Sequence, residues 1–224
     1  MNHIDHLREL VPDLFQRRVL DIGSGKGDFL IALAERGVSA TGLELYDAYR
    51  TETLRKAREH GLSVSVVAGV AEKLPFADGF FDFVNMGEVL EHVEDPARVM
   101  REIFRVLTPE GRGYVSAPNR FGLRDQHFRL YFVNWLPRSL SESFIRLFGA
   151  QKTYGAEAGR QRLGDMHYYT WRGVSSLAAR AGFEVVDIRG QKVRARFGPL
   201  ALPLYYVARA VYFDAFHLLV HKKY

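Results

Sequence analysis

Short apolar runs alternate with helix-like patterns over the first 118 residues of the chain. Apolar runs that predict buried strands lie at 19–22, 38–44, 63–68, 80–86 and 113–117. The segments between them predict helices at 28–36, 46–60 and 95–107, a short helical segment from the fourth strand through His92, and a turn at 108–111. Strands that alternate with helices are typical of a parallel sheet with crossover helices, so the pattern predicts an α/β fold.

The pattern changes after residue 118. Residues 119–166 contain many Arg and aromatic side chains and no clean strand pattern, which indicates a largely helical insertion, or lid, over the end of the sheet. Regular elements return afterwards: a helix from its N-cap Thr170 to residue 181, a strand at 183–188, a helix at about 203–213 and a closing strand at 216–220. The two late strands bring the predicted total to seven.

Composition restricts the class of protein. The chain has 224 residues, of which 47% are hydrophobic and 25% charged, as in packed domains and unlike disordered or fibrous chains. It has no cysteine, which excludes disulfides, thiolate metal ligands and cysteine nucleophiles and fits a cytoplasmic protein. The first six residues show no signal-peptide pattern, and Pro203 and charged residues interrupt the apolar stretch 200–220, so no membrane span is predicted.

Charge is distributed unevenly along the chain. Residues 1–118 carry 14 basic and 19 acidic side chains, whereas residues 119–224 carry 17 basic and 7 acidic ones. The net charge of +5 therefore combines −5 in the first part with +10 in the second. We expect the second part to meet an anionic ligand or surface.

A glycine-rich loop at 23–27 joins the first strand to the first helix, and glycines there let a ligand approach the backbone closely. Asp28 stands where a dinucleotide fingerprint has Gly or Ala, and the chain has no Gly-Lys-Ser/Thr sequence of a P-loop. Asp21 on the first strand disfavours a pyrophosphate and favours a ligand with a cationic group. Glu44, at the end of the second strand, lies where a carboxylate can bind a ribose diol.

Five motifs in register resemble those of class I S-adenosylmethionine-dependent methyltransferases of the methyltransferase-11-like kind. The five motifs lie at 19–27, 71–76, 81–84, 88–93 and 107–111. Glu44 lies between the first two, and a further similarity occurs at 181–183. The resemblance implies a Rossmann-like, doubly wound, seven-stranded and mainly parallel sheet with helices on both faces and the insertion after the fifth strand. It divides a single domain, residues 1–224, into a cofactor-binding module (1–118), an insertion or lid (119–169) and closing helices and strands (170–224).

The resemblance also implies how S-adenosylmethionine binds. Asp21 and the loop backbone would hold its methionine part, and Glu44 its ribose hydroxyls. Residues around Ala71 would line the adenine, and residues 85–86 would lie beside the sulfonium. Val70 stands where the family often has an acid for the adenine amine, so adenine binding must rest on backbone, apolar contact or Glu72. The implied set is Asp21, Gly23, Ser24, Gly25, Gly27, Glu44, Ala71, Glu72, Asn85 and Met86.

Methyl transfer to a hydroxyl needs a base or a metal ion, and the first candidate group is Glu88, Glu91 and His92. Spacings of i, i+3 and i+4 would place the three side chains on one face of a helical turn. With a further histidine they could hold Mg²⁺ or Mn²⁺. The spacing is similar to the metal site of ubiquinone-biosynthesis O-methyltransferases and small-RNA 2′-O-methyltransferases. The alternative is that these acids cap backbone amides.

Two further groups qualify as catalytic candidates. Asp125 and His127, just after the fifth strand, could form an oriented base at the mouth of a pocket. His167, followed by two tyrosines at the end of the insertion, would suit a ring-shaped or sugar acceptor. The alternatives are a lid histidine bonded to a backbone carbonyl for His127, and packing of the lid on the sheet for His167.

The leading hypothesis is an enzyme that O-methylates a small-molecule or lipid-linked acceptor bearing an anionic group. Two alternatives stay open: an RNA 2′-O-methyltransferase, which the lack of an added RNA-binding domain disfavours, and a non-catalytic cofactor-binding scaffold. The protein is expected to be cytoplasmic. The tail, residues 200–224, could lie on a membrane surface through Tyr205, Tyr206, Tyr212, Phe213 and Phe216 near Arg209, Lys222 and Lys223, or could instead form a helix packed on the sheet.

Overall fold

In the computed structural model, which describes residues 3–149 and 162–223, seven strands form one sheet in the order β3-β2-β1-β4-β5-β7-β6. The first five strands pair in parallel, and β7 runs antiparallel to both of its neighbours. The predicted seven-stranded, mainly parallel sheet is therefore confirmed. The strands are β1 (Val19–Ile22), β2 (Ala40–Glu44), β3 (Ser65–Ala68), β4 (Phe81–Met86), β5 (Leu107–Pro118), β6 (Phe183–Asp187) and β7 (Ala215–Lys222).

Helices cover both faces of the sheet because consecutive strand residues point to opposite sides. Leu20 and Val84 pack in one core cluster, whereas their neighbours Val19 and Phe83 pack in the other. The first cluster includes side chains of α4 and α6, and the second includes side chains of α1, α2 and α7. The helices are α1 (His3–Leu10), α2 (Asp28–Ala34), α3 (Asp47–Glu59), α4 (Pro96–Val106), α5 (Arg138–Phe148), α6 (Trp171–Arg180), α7 (Ile188–Phe197) and α8 (Leu202–Val211).

The strand order reverses between β1 and β4, and this reversal positions the site. From β1 the chain builds β2 and β3 on one side, and it then returns to build β4 and β5 on the other. In open α/β sheets, ligands bind beyond the carboxyl ends of the strands at such a switch point. The loops that follow β1, β2, β4 and β5 all lie at this edge.

Two predicted elements before the insertion are wrong. Residues 87–94 contain a turn but no helix, and Glu88 has a φ of 56°. Residues 107–111 belong to β5, where a register shift opposite Phe81 and Phe83 accommodates the extra residues, so they are not a separate turn. The sequence pattern also missed α1 and α7. The helix α1 has only eight residues and buries Ile4 and Leu7, and α7 is mostly basic and polar and buries one side chain, that of Ile188.

The insertion has a small core of its own. Within its described part, α5 is the one α-helix, and residues 119–137 are mostly irregular. The residues predicted as insertion between 150 and 161 lie outside the described part of the chain. The buried side chains of this third cluster are Phe128, Val133, Ile145, Leu163 and Met166.

The tail helix α8 buries a single side chain, Tyr205, whose hydroxyl donates to Asp187 at 2.8 Å. Arg209 pairs with the same carboxylate at 2.6 Å, and Phe216 is buried in the sheet. Tyr205 and Phe216 are thus not available for the membrane contact predicted for them. The helices in the described part of the chain are all too short or too polar to cross a bilayer. Tyr206 and Tyr212 of the predicted set are exposed. So is an apolar set, here called the tail face: Phe197, Leu200, Leu204, Val207 and Val211.

Candidate functional site

The loop between β1 and α2 leaves open space beside its middle glycine. Gly25 has a φ of 54°, and a Cβ built on it would meet nothing closer than the Gly23 carbonyl oxygen at 4.0 Å. A Cβ on Gly27 would instead overlap the Thr53 side chain. Gly27 is therefore required by packing, whereas Gly25 lets a ligand approach the backbone.

A buried carboxylate lies beneath this loop. Asp21 is 4% exposed, and its Oδ1 accepts a hydrogen bond from Asn85 Nδ2 at 2.7 Å across the β1–β4 pair. Burial raises the pKa of Asp21 from 3.8 to about 7; the Asn85 hydrogen bond opposes the rise and the charge of Glu44 adds to it. Among the described residues Asp21 has no cationic partner in an ion pair, so a ligand can supply one.

The amide of Asn85 is held from its other side by α1. Asn85 Oδ1 lies 2.9 Å from Nε2 of His3. His3 also packs its ring against Phe29 and Tyr114, with centroids 5.3 and 5.0 Å apart. Sequence reasoning missed His3 because it did not predict α1.

Glu44 supports the glycine loop as well as facing the ligand edge. Its Oε2 accepts from the Gly25 amide at 2.8 Å, and its Oε1 accepts from the Tyr46 amide at 2.9 Å. A carboxylate has about four lone-pair sites, so both oxygens can still accept from a diol. Beside it, the hydroxyl of Ser24 is buried and has no hydrogen-bond partner among the described residues.

The predicted adenine-side residues behave differently from one another. Ala71 and Met86 are buried, but Oε1 of Glu72 accepts from the Glu94 amide at 2.8 Å and so holds the segment before α4. Leu45 and Val70 follow the paired residues of β2 and β3 and are exposed. An apolar surface at this edge, which includes the unpredicted Leu45, is therefore available to a planar ring.

A second polar cluster consists of Glu91 and His92, which lie in the segment after β4, and of His127, which lies in the insertion after β5. Ligand atoms of the three side chains lie within 4.8 Å of one another. The side chains of Glu91 and His127 are fully buried, with Nε2 of His127 3.3 Å from Oε1 of Glu91. Neither carboxylate oxygen of Glu91 has a hydrogen bond in the described part of the chain. A buried, unsatisfied carboxylate is costly, and a proton, a metal ion or a substrate hydroxyl would relieve it.

The composition of this cluster corrects the predicted metal ligands. Because residues 88–92 do not form a helix, Glu88 does not share a face with Glu91 and His92. The Glu88 amide instead donates to Ser116 Oγ at 2.8 Å. The third member of the cluster is His127 from the insertion.

The Asp125 carboxylate accepts hydrogen bonds from backbone amides rather than from the imidazole of His127. Its Oδ1 accepts from the amides of His127 and Phe128 at 2.9 and 2.8 Å. Its Oδ2 accepts from Asn134 at 3.0 Å and from the Tyr168 hydroxyl at 2.5 Å. The sequence predicted that Asp125 orients the His127 imidazole as a base. Asp125 makes no such bond to the ring, because Nε2 of His127 faces Glu91 and Asp125 binds backbone amides.

Tyr168 stands between Asp125 and His127, with its hydroxyl 3.4 Å from Nδ1 of His127. Burial and the neighbouring charge of Asp125 raise the pKa of Tyr168 far above its usual range. The phenol therefore keeps its proton and acts as a donor. The tyrosine was visible in the sequence as part of an aromatic pair, but its contacts with residues 125 and 127 were not.

The third predicted histidine, His167, is exposed beside the cluster. Its backbone amide donates to the Glu91 carbonyl at 2.9 Å, and the hydroxyl of Tyr169 donates to the Leu90 carbonyl at 3.2 Å. The end of the insertion is thus fastened to the turn that carries Glu91. The His167 ring is not part of the group that could hold a metal ion.

Comparison with known proteins gives concordant matches. A family model described as a methyltransferase domain matches residues 20–115. A ubiquinone biosynthesis O-methyltransferase of Xanthomonas oryzae pv. oryzae is 33% identical over 180 residues, which are 75% of this chain and 73% of that protein. A demethylmenaquinone methyltransferase of Deinococcus radiodurans is 37% identical over 126 residues, 54% of this chain and 52% of that protein.

The chain spans about half the length of several such relatives. Among solved structures, an S-adenosylmethionine-dependent methyltransferase from Mesorhizobium loti aligns with a TM-score of 0.64 at 19% identity, over 97% of this chain and 96% of that one. At this level of identity the structural similarity concerns the fold.

Proposed function

Since the chain belongs to the S-adenosylmethionine-dependent methyltransferases, we propose that it transfers the methyl group to a hydroxyl of a small-molecule or lipid-linked acceptor. The proposal of O-methylation rests on the buried Glu91–His127 pair. Glu91 lies after β4 and His127 after β5, beyond the carboxyl ends of these strands. A hydroxyl must lose its proton to become a good nucleophile, and an imidazole next to a buried carboxylate can accept that proton.

The residues at the switch point fit S-adenosylmethionine. The unpaired Asp21 carboxylate suits the ammonium of the methionine part, and Glu44 suits the ribose diol. The open space at Gly25 and the unpartnered Ser24 hydroxyl leave room and a polar atom for the cofactor. When bound, the cofactor supplies the electrophilic methyl group, and the protein supplies alignment.

His127, supported by Glu91, is the proposed proton acceptor. The Tyr168 hydroxyl lies 3.4 Å from Nδ1 of His127, whereas Nε2 faces Glu91, so the two neighbours can fix the orientation of the ring. Asp125 keeps Tyr168 and the backbone at 127–128 in place, so we assign it a positioning role. His167 is exposed beside the same turn and lies within the proposed acceptor side of the site.

A divalent cation at Glu91, His92 and His127 is the second candidate for activating the hydroxyl. It is favoured by one observation, the two oxygens of Glu91 that are buried without a hydrogen bond from the described residues. Two imidazoles and a carboxylate suit Mn²⁺ or another transition ion better than Mg²⁺, which prefers oxygen ligands. The cation would position a hydroxyl and lower its pKa.

The proposed acceptor is a lipid-linked or small molecule related to quinones. The two relatives described above are named for ubiquinone biosynthesis and for demethylmenaquinone. We further propose a cytoplasmic enzyme whose tail face contacts an anionic membrane. Residues 188–213 support this placement, because they contain five basic side chains and no acidic one next to the exposed apolar residues.

The test uses purified protein, S-adenosylmethionine labelled in its methyl group, and a bacterial small-molecule and lipid extract. We expect saturable cofactor binding and transfer of label to oxygen in one product class, identified by mass spectrometry. Glu91→Gln should lower the rate by about 100-fold or more with unchanged cofactor affinity, since general base catalysis contributes that much. The exposed Glu94→Gln is the matched control and should keep the rate.

Chelation separates the two candidate ways of activating the hydroxyl. Loss of activity in EDTA with recovery in Mn²⁺ would assign the cation, and undiminished activity in EDTA would leave the His127 base. Label on nitrogen or carbon, or an unaffected Glu91→Gln enzyme, would contradict the proposed O-methylation.

A further inference from the structure

Two arginines, each with one unsatisfied guanidinium nitrogen, lie beside the Tyr168–Tyr169 segment that also contacts His127. Arg120 directly follows β5, and Arg138 is the first residue of α5. The Nη1 atom of each is buried and has no hydrogen-bond partner among the described residues. Arg138 lies over the ring of Tyr168, 5.4 Å from its centroid, and the Arg120 amide donates to the Tyr169 carbonyl at 2.6 Å.

The two positive charges act on each other, and no carboxylate among the described residues opposes their effect on Arg120. Burial lowers the pKa of Arg120 and the charge of Arg138 lowers it further, whereas Tyr168 raises it. The Arg120 guanidinium lies over the ring of Phe121, with its central carbon 5.4 Å from the ring centroid. In addition, α5 has no side-chain N-cap, since Pro137 stands at that position.

We infer that Arg120 and Arg138 form a binding site for a compact oxyanion, a carboxylate or a phosphate group carried by the methyl acceptor. Guanidinium groups bind such anions through paired, charge-assisted hydrogen bonds. An anion here would satisfy both Nη1 atoms and replace a repulsion between like charges with two attractions.

The location gives the site its role, and this part of the inference rests on the proposed function. Tyr168 contacts Arg138 on one side and lies 3.4 Å from His127 on the other. An acceptor anchored by its anionic group would therefore present a neighbouring hydroxyl to the Glu91–His127 pair. The arginines thus select acceptors that carry an anion at a fixed distance from the methylated oxygen.

The experiment measures anion binding without any methyl transfer. Inorganic phosphate and benzoate are titrated separately into the full chain by calorimetry and thermal shift, at constant ionic strength set with chloride. We expect saturable binding of at least one of them, and at least tenfold weaker binding by Arg120→Gln and Arg138→Gln, because a hydrogen bond to a charged group is lost. Arg146→Gln, at the exposed end of α5, is the matched control and should bind like the wild type.

A purely structural role for the two arginines makes the opposite prediction about the free protein. If they stabilise the fold, Arg120→Gln lowers the melting temperature without anion; relief of repulsion leaves it unchanged or raises it. Arg138→Lys keeps the charge but loses the planar fork, so it should retain only part of the affinity. A preference for phosphate or for benzoate identifies which oxyanion the site takes.

The inference is overturned if neither anion binds the wild type at constant ionic strength, or if all variants bind equally. Failure of the proposed function is a separate result, because cofactor binding and label transfer are measured without added anion. Anion binding without cofactor binding would reject only the proposed function. Methyl transfer by a protein that binds neither anion would reject only the arginine site.

Discussion

At the scale of single residues, the site depends on polar groups that burial leaves incompletely satisfied. Asp21, Ser24 and Glu91 each lie at the carboxyl edge of the sheet, buried, with bonding capacity left over. The sequence predicted Asp21 from its place on the strand before the glycine loop, and Glu91 from its spacing relative to Glu88 and His92. It could not predict that Glu91 meets His127, since residues 36 apart come together only through the packing of the insertion.

Cofactor binding should depend on pH through Asp21. Its pKa is raised to about 7, and only the ionised carboxylate attracts an ammonium group, so affinity must fall as the pH falls below 7. We expect S-adenosylmethionine to bind about 15-fold more weakly at pH 5.5 than at pH 7, with proton release on binding. Calorimetry in two buffers of different ionisation enthalpy measures both effects.

The control for this pH dependence is Asp21→Asn. It removes the titrating group and keeps a partner for Asn85, so it should bind the cofactor weakly with little dependence on pH. An Asn variant that retains the wild-type slope would show that another group is responsible.

At the scale of elements, local sequence signals were sufficient where the element needs no distant partner. The strands β1 to β4 and the capped helices α4 and α6 lie where the pattern predicts them, because buried apolar runs and capping side chains act locally. The segment 87–94 has a helical spacing of acids but folds irregularly, since Ser116 and Tyr169 from other elements bind its backbone. The amphipathic signal of α7 is too weak to detect because its sequence is mostly basic and polar.

The cap of α6 gives a quantitative test at this scale. Oγ1 of Thr170 accepts from the Gly173 amide at 3.1 Å, so Thr170→Ala leaves that amide without its partner. We expect a loss of about 1 kcal/mol in the free energy of unfolding, measured by urea denaturation. Thr170→Ser keeps the accepting oxygen and should retain nearly all of the stability. Equal losses in the two variants would mean that the methyl group, rather than the cap, is important.

At the scale of the whole molecule, the uneven charge follows the proposed division of the chain into a cofactor-binding part and an acceptor-binding part. The acidic part of the chain supplies the loops around Asp21 and Glu44, which are suited to a cofactor with cationic groups. The basic part supplies the two arginines beside Tyr168 and the basic segment around α7 and α8. The sequence predicted this asymmetry, whereas the residues that use it became visible only in the folded chain.

The tail face should bind anionic bilayers. Leu200 is 94% exposed and Leu204 77% exposed, and Arg194 and Arg196 at the end of α7 are exposed beside them. We expect the protein to float with vesicles that contain phosphatidylglycerol but not with pure phosphatidylcholine, and to be released by salt. Replacing both arginines by Gln should weaken binding about 30-fold, at about 1 kcal/mol for each basic side chain.

Two substitutions separate burial of the tail face from charge attraction alone. Leu204→Glu places a carboxylate on the tail face and should abolish flotation, whereas Leu54→Glu on the exposed side of α3 should leave it unchanged. Both variants must keep the wild-type melting temperature and cofactor affinity, because neither side chain is buried in the core. If Leu204→Glu floats as the wild type does, the arginines act without the apolar residues and the tail face does not enter the bilayer. If the wild type does not float even at low salt, the tail face has another partner and the proposed membrane contact is wrong.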